Sequence, residues 1–324
     1  MLRAAIIGVG NMGRNHARVL SEIEGVELVA VADKHAEANK NGKRYWKRFY
    51  TDYRKLIENE RPDLITLAVP TIHHHAIGLA VLKARIPLLI EKPLAYTISE
   101  AEELIAAAHK HKTLLTVGHI ERFNPAVQEL QARIKAGELG RIYKVKASRV
   151  GPIPPRIQDV GVVIDLAVHD IDVFRYLIGS EPVRVYAETA QRLHSHKEDL
   201  LAGVIKFADD TIAYLNVNWL TPTNIRQLTI TGEKGLFVLD YLDQRLQFYE
   251  NVASQEEKSQ HIVEGKMIRF KIAKREPLRN ELEHFIDCVR KRTQPLVTGE
   301  DGKRVLEIAH MLLRSAKEGR VVHE

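Results

Sequence analysis

Two hydrophobic patterns divide the chain near residue 120. Before that point, short apolar runs alternate with stretches whose apolar residues recur every three or four positions, the spacing of amphipathic helices. The apolar runs lie at 4–9, 27–32, 64–69, 87–90 and 114–117. Strands that alternate with helices predict a parallel sheet covered on both faces.

One predicted helix carries a start signal. Apolar residues between Ala101 and Ala108 have helical spacing, and Ser99 precedes them. Glu102 follows Ser99 by three positions, so we interpret the two residues as a capping box.

After Gly140 the pattern predicts a largely antiparallel sheet. Strand-like segments follow one another without long helices between them, at 141–150, 184–189, 201–207, 211–217 and 227–230. Turn residues at 209–210 and 231–235 connect some of them. A helix is predicted over 166–177, and two more close the chain at 278–290 and 301–316, with Thr298 as the cap of the last.

The predicted fold class is therefore α/β followed by α+β. We expect residues 1–120 to form a doubly wound, dinucleotide-binding domain. Residues 121–324 are expected to form a substrate-binding and oligomerisation domain, with an open-faced sheet and helices. The prediction allows the last helix to pack back on the first domain.

The composition excludes several classes of protein. The 324 residues are 45% hydrophobic and 28% charged, a balance typical of folded globular proteins. No apolar stretch approaches the roughly 18 residues of a membrane span, and the first residues do not have the pattern of a signal peptide. Cys288 is the single cysteine, which excludes an internal disulfide. We expect a cytoplasmic protein without a membrane partner.

The first strand leads into a glycine-rich turn, Gly8-Val9-Gly10-Asn11-Met12-Gly13, and a helix-like stretch follows. This is the GxGxxG context of a dinucleotide site, in which Gly8 permits the turn, Gly10 admits the diphosphate and Gly13 lets the helix approach the strand. Asp33 ends the second strand twenty residues later. Its carboxylate favours NAD over NADP, although Lys34 could meet a 2′-phosphate. The candidate cofactor residues here are Gly8, Gly10, Asn11, Met12, Gly13 and Asp33.

The net charge of +6 lies partly in two basic segments. In Lys40–Arg48, aromatic residues are interleaved with basic ones, and we interpret the segment as a solvated helix face with aromatics packed inward rather than as a nucleic-acid site. The segment Leu139–Gln158 has five basic residues and no acidic one. Arg149 and Arg156 flank its proline-rich loop and are candidates for binding an anionic substrate group, the alternative being a plain basic surface.

Two further patterns carry candidate chemistry. Glu91-Lys92-Pro93 follows a buried strand, at the edge where doubly wound sheets bind ligands, so Lys92 could take a proton from a substrate hydroxyl. Asp165 and His169 are four residues apart and share one helix face. A surface lysine and a helix-terminal Asp–His pair are the alternatives. The triplet His73–His75 does not predict a metal site, because consecutive helical residues diverge.

These motifs, in this order, resemble the Gfo/Idh/MocA family of oxidoreductases. Val69-Pro70-Thr71 with His74 resembles the family's nicotinamide-side loop, and residues 295–302 are also typical. The resemblance implies hydride transfer from a sugar carbinol to NAD, with Lys92, Asp165 and His169 as catalytic residues. Either Lys92 or His169 would be the base. The resemblance also adds five residues to the candidate cofactor site: Pro70, Thr71, His74, Glu91 and Lys92.

Within the family, Val117–Pro125 and the loop 152–161 most resemble the UDP-N-acetylglucosamine 3-dehydrogenase branch. This implies a UDP-sugar substrate and a homodimer or homotetramer. The implied substrate residues are His119, Glu121, Arg122, Asn124, Arg149, Arg156, Asp165 and His169. The chain departs from the family in having only Gly161 before Asp165, and Ala167 where glycine is frequent. A dehydrogenase of free sugar or inositol, and a non-catalytic dinucleotide sensor, are the alternatives.

Overall fold

The computed structural model describes residues 1–41, 44–153, 160–193, 196–253 and 262–324. The first part contains β1 (Leu2–Ile7), α1 (Asn11–Glu22), β2 (Val26–Ala32), β3 (Arg48–Tyr50), α2 (Tyr53–Glu60), β4 (Leu64–Leu67), α3 (His74–Lys83), β5 (Leu88–Glu91), α4 (Ile98–His111) and β6 (Leu115–Gly118). Short 3₁₀ turns span Ala36–Asn41, Thr71–His73 and Ile120–Phe123.

The rest of the chain is richer in strands. It contains α5 (Pro125–Lys135), β7 (Ile142–Pro152), a π turn (Val163–Ala167), α6 (Val168–Ile178), β8 (Pro182–Ala190), β9 (Leu200–Phe207), β10 (Ile212–Asn218), β11 (Leu220–Gly232), β12 (Gly235–Asp240), β13 (Arg245–Ala253), β14 (Ile262–Arg269), α7 (Pro277–Lys291), α8 (Gly299–Glu318) and β15 (Val322–His323). By its internal contacts the described chain divides into two units, Met1–Ile120 with Glu276–Leu306, and Glu121–Arg275 with Glu307–Glu324.

The first unit is built on a parallel sheet. Among the described residues its strand order is β3-β2-β1-β4-β5-β6, and every pairing is parallel. This is the doubly wound Rossmann order, which confirms the predicted fold. The order reverses between β1 and β4, so ligands of such sheets bind at the carboxyl ends of these strands.

The core of the first unit explains why Glu276–Leu306 belongs to it. Leu20 of α1 packs in one buried cluster with Leu282, Phe285 and Ile286 of α7. All four are at most 1% exposed. The apolar face of α7 thus covers the outer side of α1.

The second unit contains a mixed sheet. In the part that the structure describes, its strand order is β14-β13-β12-β11-β7-β10-β9-β8-β15. All neighbours are antiparallel except β10 and β7, which are parallel, so the predicted, mostly antiparallel sheet is confirmed. Along β7, Val145, Ala147 and Arg149 are buried, whereas Lys144 and Lys146 are exposed on the other face. One face of the sheet is therefore packed and the other is open.

The predicted capping box of α4 is wrong by two residues. Thr97 is the N-cap: its side chain accepts from the Glu100 N–H at 3.2 Å, and Glu100 Oε2 accepts from the Thr97 N–H at 3.0 Å. Ser99 lies inside the first turn. The predicted cap of α8 is confirmed, because the Thr298 hydroxyl accepts from the Asp301 N–H at 3.0 Å.

The basic segment 40–48 does not form the expected helix face. The 3₁₀ turn ends at Asn41, and the chain enters β3 at Arg48; residues 42–43 lie outside the described ranges. Trp46 is 6% exposed and packs in the core of the first unit, as predicted for the aromatics. Lys47 pairs with Glu27, and Arg48 pairs with Glu60 at 2.8 Å. These two cations are therefore held in ion pairs within the unit.

The three consecutive histidines have different surroundings. His73 lines a groove of the first unit, His74 is buried, and His75 pairs with Glu103 at 3.0 Å. Within the described ranges, no set of three or more His, Cys, Asp or Glu side chains is arranged to hold a metal ion. None of the described helices combines the length and apolarity that a membrane crossing requires.

Candidate active site

The glycine turn joins β1 to α1 at the carboxyl edge of the parallel sheet. Gly8 has a φ of +90°, and a Cβ added there would lie 2.4 Å from the Ala68 carbonyl oxygen. A Cβ on Gly13 would lie 1.9 Å from the Gly8 carbonyl oxygen. Both positions therefore require glycine, because any side chain would separate the helix from the strand.

Gly10 has the opposite surroundings. A Cβ added there would meet nothing within 4 Å, so the space beside the N-terminus of α1 is open. Gly10 is the N-cap and provides no side-chain hydrogen bond, and the first turn of α1 has no acidic residue. The N–H groups of Asn11, Met12 and Gly13 are thus available to an anion, and the turn fits the diphosphate of a dinucleotide.

Asp33 lies directly after β2. Its Oδ2 accepts from the Val9 N–H at 2.9 Å, and its Oδ1 accepts from the His35 N–H at 3.0 Å. The carboxylate is therefore fixed beside the glycine turn, and each oxygen keeps lone pairs for ribose hydroxyls. Gly8, Gly10, Asp33 and Pro70 all line one groove of about 680 Å³. Its size suits part of a dinucleotide.

His74 is buried between two loops at the carboxyl edge of the parallel sheet. It is 1% exposed; its Nδ1 lies 2.8 Å from the Pro93 carbonyl oxygen, and its Nε2 lies 2.9 Å from the Val69 carbonyl oxygen. Burial lowers the pKa of His74, so the neutral ring donates its single N–H to one of the two carbonyls. The ring links the loop after β4 to the loop after β5. Thr71 begins the same turn and is 8% exposed.

Lys92 follows the last residue of β5, and the Lys92–Pro93 peptide is cis. Its backbone N–H donates to Glu91 Oε2 at 3.3 Å. Glu91 Oε1 in turn contacts His16 Nε2 at 2.9 Å. Gly118 lies close to this pair: a Cβ there would be 3.1 Å from the Glu91 carboxyl, so a larger residue would press on Glu91. Glu91 thus supports the segment that carries Lys92.

A second acid lies near Glu91, on α7. Glu281 is 2% exposed, and neither of its carboxyl oxygens has a hydrogen-bond partner among the described residues. Burial, and then the charge of Glu91, raise the pKa of Glu281 well above its ordinary value. Glu281 is therefore held as a neutral acid.

In the second unit, Asp165 and His169 lie at the start of α6. Asp165 is in the π turn, and His169 is the second residue of α6, so the expected regular α-helical relation between the two is altered. A Cβ at Gly161, just before them, would lie 2.0 Å from Glu198 Oε1, so a larger residue would displace the Glu198 carboxyl. That oxygen accepts from the Val163 N–H at 3.2 Å. π turns are frequent at functional sites.

Arg149 lies at the centre of a buried charge network. Its Nε and Nη2 donate to Asp170 at 2.8 and 3.2 Å, and its Nη1 donates to Glu121 at 3.0 Å. Arg149 is 2% exposed and Asp170 is 0% exposed. Burial opposes the charge, but Asp170 and Glu121 together raise the pKa of Arg149. Its charge is therefore matched within the protein.

Two other predicted substrate residues of this unit, Arg122 and Asn124, are also held by hydrogen bonds within the protein. Arg122 donates to both oxygens of Asp172, at 2.8 and 2.6 Å. Asn124 Nδ2 donates to the Tyr241 carbonyl at 3.1 Å. His119, 1% exposed, belongs to the first unit. Arg156 lies outside the described residues.

Sequence reasoning missed four residues of these networks: His16, Glu281, Arg226 and Tyr241. His16 and Glu281 are separated from Glu91 by long stretches of chain, and only the fold brings them together. Tyr241 lies under Arg149, whose Cζ is 5.0 Å from the ring centroid. Arg226 faces Arg149 across the sheet, a relation that local patterns do not contain.

The first unit is a Rossmann fold whose glycine turn offers N–H groups to an anion, and an open-faced sheet unit follows it. This combination defines a class of dinucleotide-dependent oxidoreductases. The chain belongs to the Gfo/Idh/MocA oxidoreductase family: residues 2–119 match its NAD-binding Rossmann fold, and residues 131–323 match its C-terminal alpha/beta domain. The predicted NAD-binding domain and family are confirmed.

The similarity to individual relatives covers nearly the whole chain. The chain is 29% identical to a UDP-N-acetylglucosamine 3-dehydrogenase of Acidithiobacillus ferrooxidans over 95% of both proteins. A solved structure of that enzyme, GnnA, covers 98% of both chains with a TM-score of 0.87 and 28% identity. A myo-inositol 2-dehydrogenase of Thermotoga maritima is 24% identical over 99% of this chain and 98% of its own.

Replacing Arg149 should destabilise the protein strongly. Arg149→Met leaves Asp170 and Glu121 buried without their cation, and breaking such a pair costs about 3–5 kcal/mol. Denaturant unfolding measures the loss. Arg141→Met, at an exposed arginine before the same strand, is the matched control and should change stability by less than about 0.5 kcal/mol. Similar losses in both variants would contradict the network's role.

Glu281→Gln should change how stability depends on pH. The raised folded-state pKa of Glu281 contributes stability below the unfolded value, which is lost as pH rises through the folded value. Glutamine has the same shape but stays neutral at every pH, so the stability of the variant should rise relative to that of the wild type as pH rises from about 4.

Urea unfolding at several pH values tests this. Glu283→Gln, on the same helix but with a side chain 31% exposed, is the control and should give a curve parallel to the wild type. A parallel curve for Glu281→Gln would mean that Glu281 is ionised in the folded protein.

Proposed function

We propose that this oxidoreductase oxidises a secondary hydroxyl of a sugar to a ketone, and that its substrate is UDP-N-acetylglucosamine, oxidised at the 3-hydroxyl. The observation that carries the proposal is the likeness to the Acidithiobacillus 3-dehydrogenase, which extends over 95% of both chains. The open turn at Gly10 and the fixed carboxylate of Asp33 support NAD as the cofactor.

The proposed chemistry divides among three side chains. NAD, when bound, accepts the hydride from the carbinol carbon. Lys92, at the carboxyl edge of the parallel sheet, or His169, at the start of α6, takes the proton of the hydroxyl. Asp165 orients the hydrogen bonds around that hydroxyl. Glu91 and His74 act as positioning residues, since they hold the backbone on either side of Lys92 and Pro93.

We also propose that the open face of the second unit pairs with another copy of the chain. Tyr186, Val204 and Tyr214 lie in register across β8, β9 and β10. They are 38%, 37% and 39% exposed. Such a row of apolar side chains on an uncovered sheet face favours association. The arrangement supports the proposed homodimer or homotetramer.

A dehydrogenase of inositol or of a free sugar is the second candidate. The likeness to the Thermotoga myo-inositol 2-dehydrogenase, over 99% of this chain, supports it. A panel of UDP-sugars, free sugars and inositols, assayed with NAD and NADP, separates the two candidates. Turnover of polyols alone would eliminate the nucleotide-sugar proposal.

Lys92→Ala and His169→Ala should each lower kcat for the preferred substrate, by about 10²–10⁴-fold where the group transfers the proton. NADH formation measures the rate. Lys83→Ala, at an exposed lysine of the first unit, should leave the rate unchanged. The base should be the residue whose loss removes the acidic limb of the pH–rate profile. If Lys92→Ala kept full activity, Lys92 would be excluded as the base. If the wild type formed no NADH with any substrate of the panel, the non-catalytic sensor would be the better interpretation.

Asp33→Asn should shift cofactor preference toward NADP. The amide keeps an acceptor for the Val9 N–H but removes the charge that repels a 2′-phosphate. We expect the ratio of kcat/KM for NADP to that for NAD to rise by about tenfold or more, as expected for one charge contact of about 1.4 kcal/mol. Asp52→Asn, at the N-cap of α2 in the same groove, is the control. An unchanged ratio would exclude Asp33 from cofactor selection.

A further inference from the structure

Arg226 lies on β11 directly opposite Arg149 of β7. Facing residues of an antiparallel pair project to the same side of the sheet. On that side Leu228 and Ile230 are buried, whereas Ile225 and Gln227 are exposed on the other. Arg226 therefore extends under the packed face of the second unit, where it is partly buried.

The two arginines differ in their hydrogen bonds. Arg149 has three of its N–H groups engaged by Asp170 and Glu121. The side chain of Arg226 makes no hydrogen bond and no ion pair with any described residue. A guanidinium has five N–H donors in a planar fork, so a partly buried set of donors is left for a ligand.

The surroundings of Arg226 do not offset the cost of its charge. Burial and then Arg149 lower the pKa of Arg226, although Glu121, Asp170 and Asp165 act in the opposite direction. A ligand with anionic oxygens would relieve this cost, because a phosphate or carboxylate can accept two N–H groups of one guanidinium. Arg226 lies on the side of the sheet where Arg149 meets Asp170 of α6, and the charge of Asp165, in the π turn just before α6, also acts on it.

We propose that Arg226 binds the anionic group of the substrate and selects sugars that carry one. The inference rests on the proposed function, since it assigns the phosphate of the nucleotide sugar to this guanidinium. Arg149, with its charge matched internally, then holds β7 against α6 and the 120–123 turn. The anion-binding role predicted for Arg149 thus passes to its cross-strand neighbour.

Calorimetric titration of the full-length protein tests the proposal. The probes are UDP-N-acetylglucosamine, N-acetylglucosamine 1-phosphate and uncharged N-acetylglucosamine. Arg226→Gln should weaken binding of the phosphate-bearing probes by about 10- to 100-fold, as expected for a lost charge-assisted hydrogen-bond pair. Binding of the uncharged sugar and of NADH should not change. Arg226→Lys, which keeps the charge without the fork, should weaken binding less.

The probes also identify the phosphate. Equal losses for both phosphate-bearing probes assign Arg226 to the phosphate on the anomeric carbon, and a loss for the nucleotide sugar alone assigns it to the distal phosphate. Arg141→Gln is the control for a lost exposed arginine, and unfolding midpoints show that each variant is folded.

Two results would overturn the proposal in different ways. If the wild type binds the nucleotide sugar and Arg226→Gln binds it equally well, the assignment of Arg226 fails and the proposed function stands. If the wild type binds neither phosphate-bearing probe, the proposed substrate and the assignment fail together. Equal weakening of charged and uncharged probes would show that Arg226 only maintains the fold.

Discussion

The second unit depends on the buried guanidinium of Arg149. It holds Asp170 of α6 and Glu121 of the 120–123 turn against β7, so three elements distant in sequence meet at one cation. A buried carboxylate is costly without a partner, and here two share one arginine. The position of α6, and with it that of Asp165 and His169, follows from this pairing. These two candidate residues are therefore positioned by an interaction that does not itself require a ligand.

The first unit depends in turn on positions where a side chain is absent. The missing side chains of Gly8 and Gly13 bring α1 against the strand edge, and the missing side chain of Gly10 leaves room in front of it. The resulting open helix N-terminus offers N–H groups to an anion. Around it, His74 and Glu91 fix the two neighbouring loops through carbonyl and N–H contacts. The two units thus use charge pairing and close packing to position candidate reactive groups.

Local patterns were sufficient to predict the glycine turn, the parallel sheet and the cap at Thr298. The turn and the cap depend on neighbours in sequence, and the parallel sheet follows from the alternation of strands with helices. They were insufficient at α4, where Thr97 with Glu100 and Ser99 with Glu102 both satisfy the capping pattern, and only the observed backbone distinguishes them. The basic segment 139–158 made Arg149 a candidate for binding an anion, but the sequence could not show that Asp170 and Glu121 neutralise its charge. The relation of Arg226 to Arg149 depends on the pairing of β11 with β7, which a linear pattern does not encode.

The contribution of α7 to the first unit has a consequence for synthesis on the ribosome. The sheet of that unit ends with β6, but Leu282, Phe285 and Ile286 complete the cluster around α1. Until these residues emerge, the outer side of α1 has no cover, while the whole second sheet is being made. The nascent chain therefore exposes a hydrophobic surface for much of its translation, a condition that favours chaperone binding. A fragment ending at Ile120 would retain that exposed surface permanently.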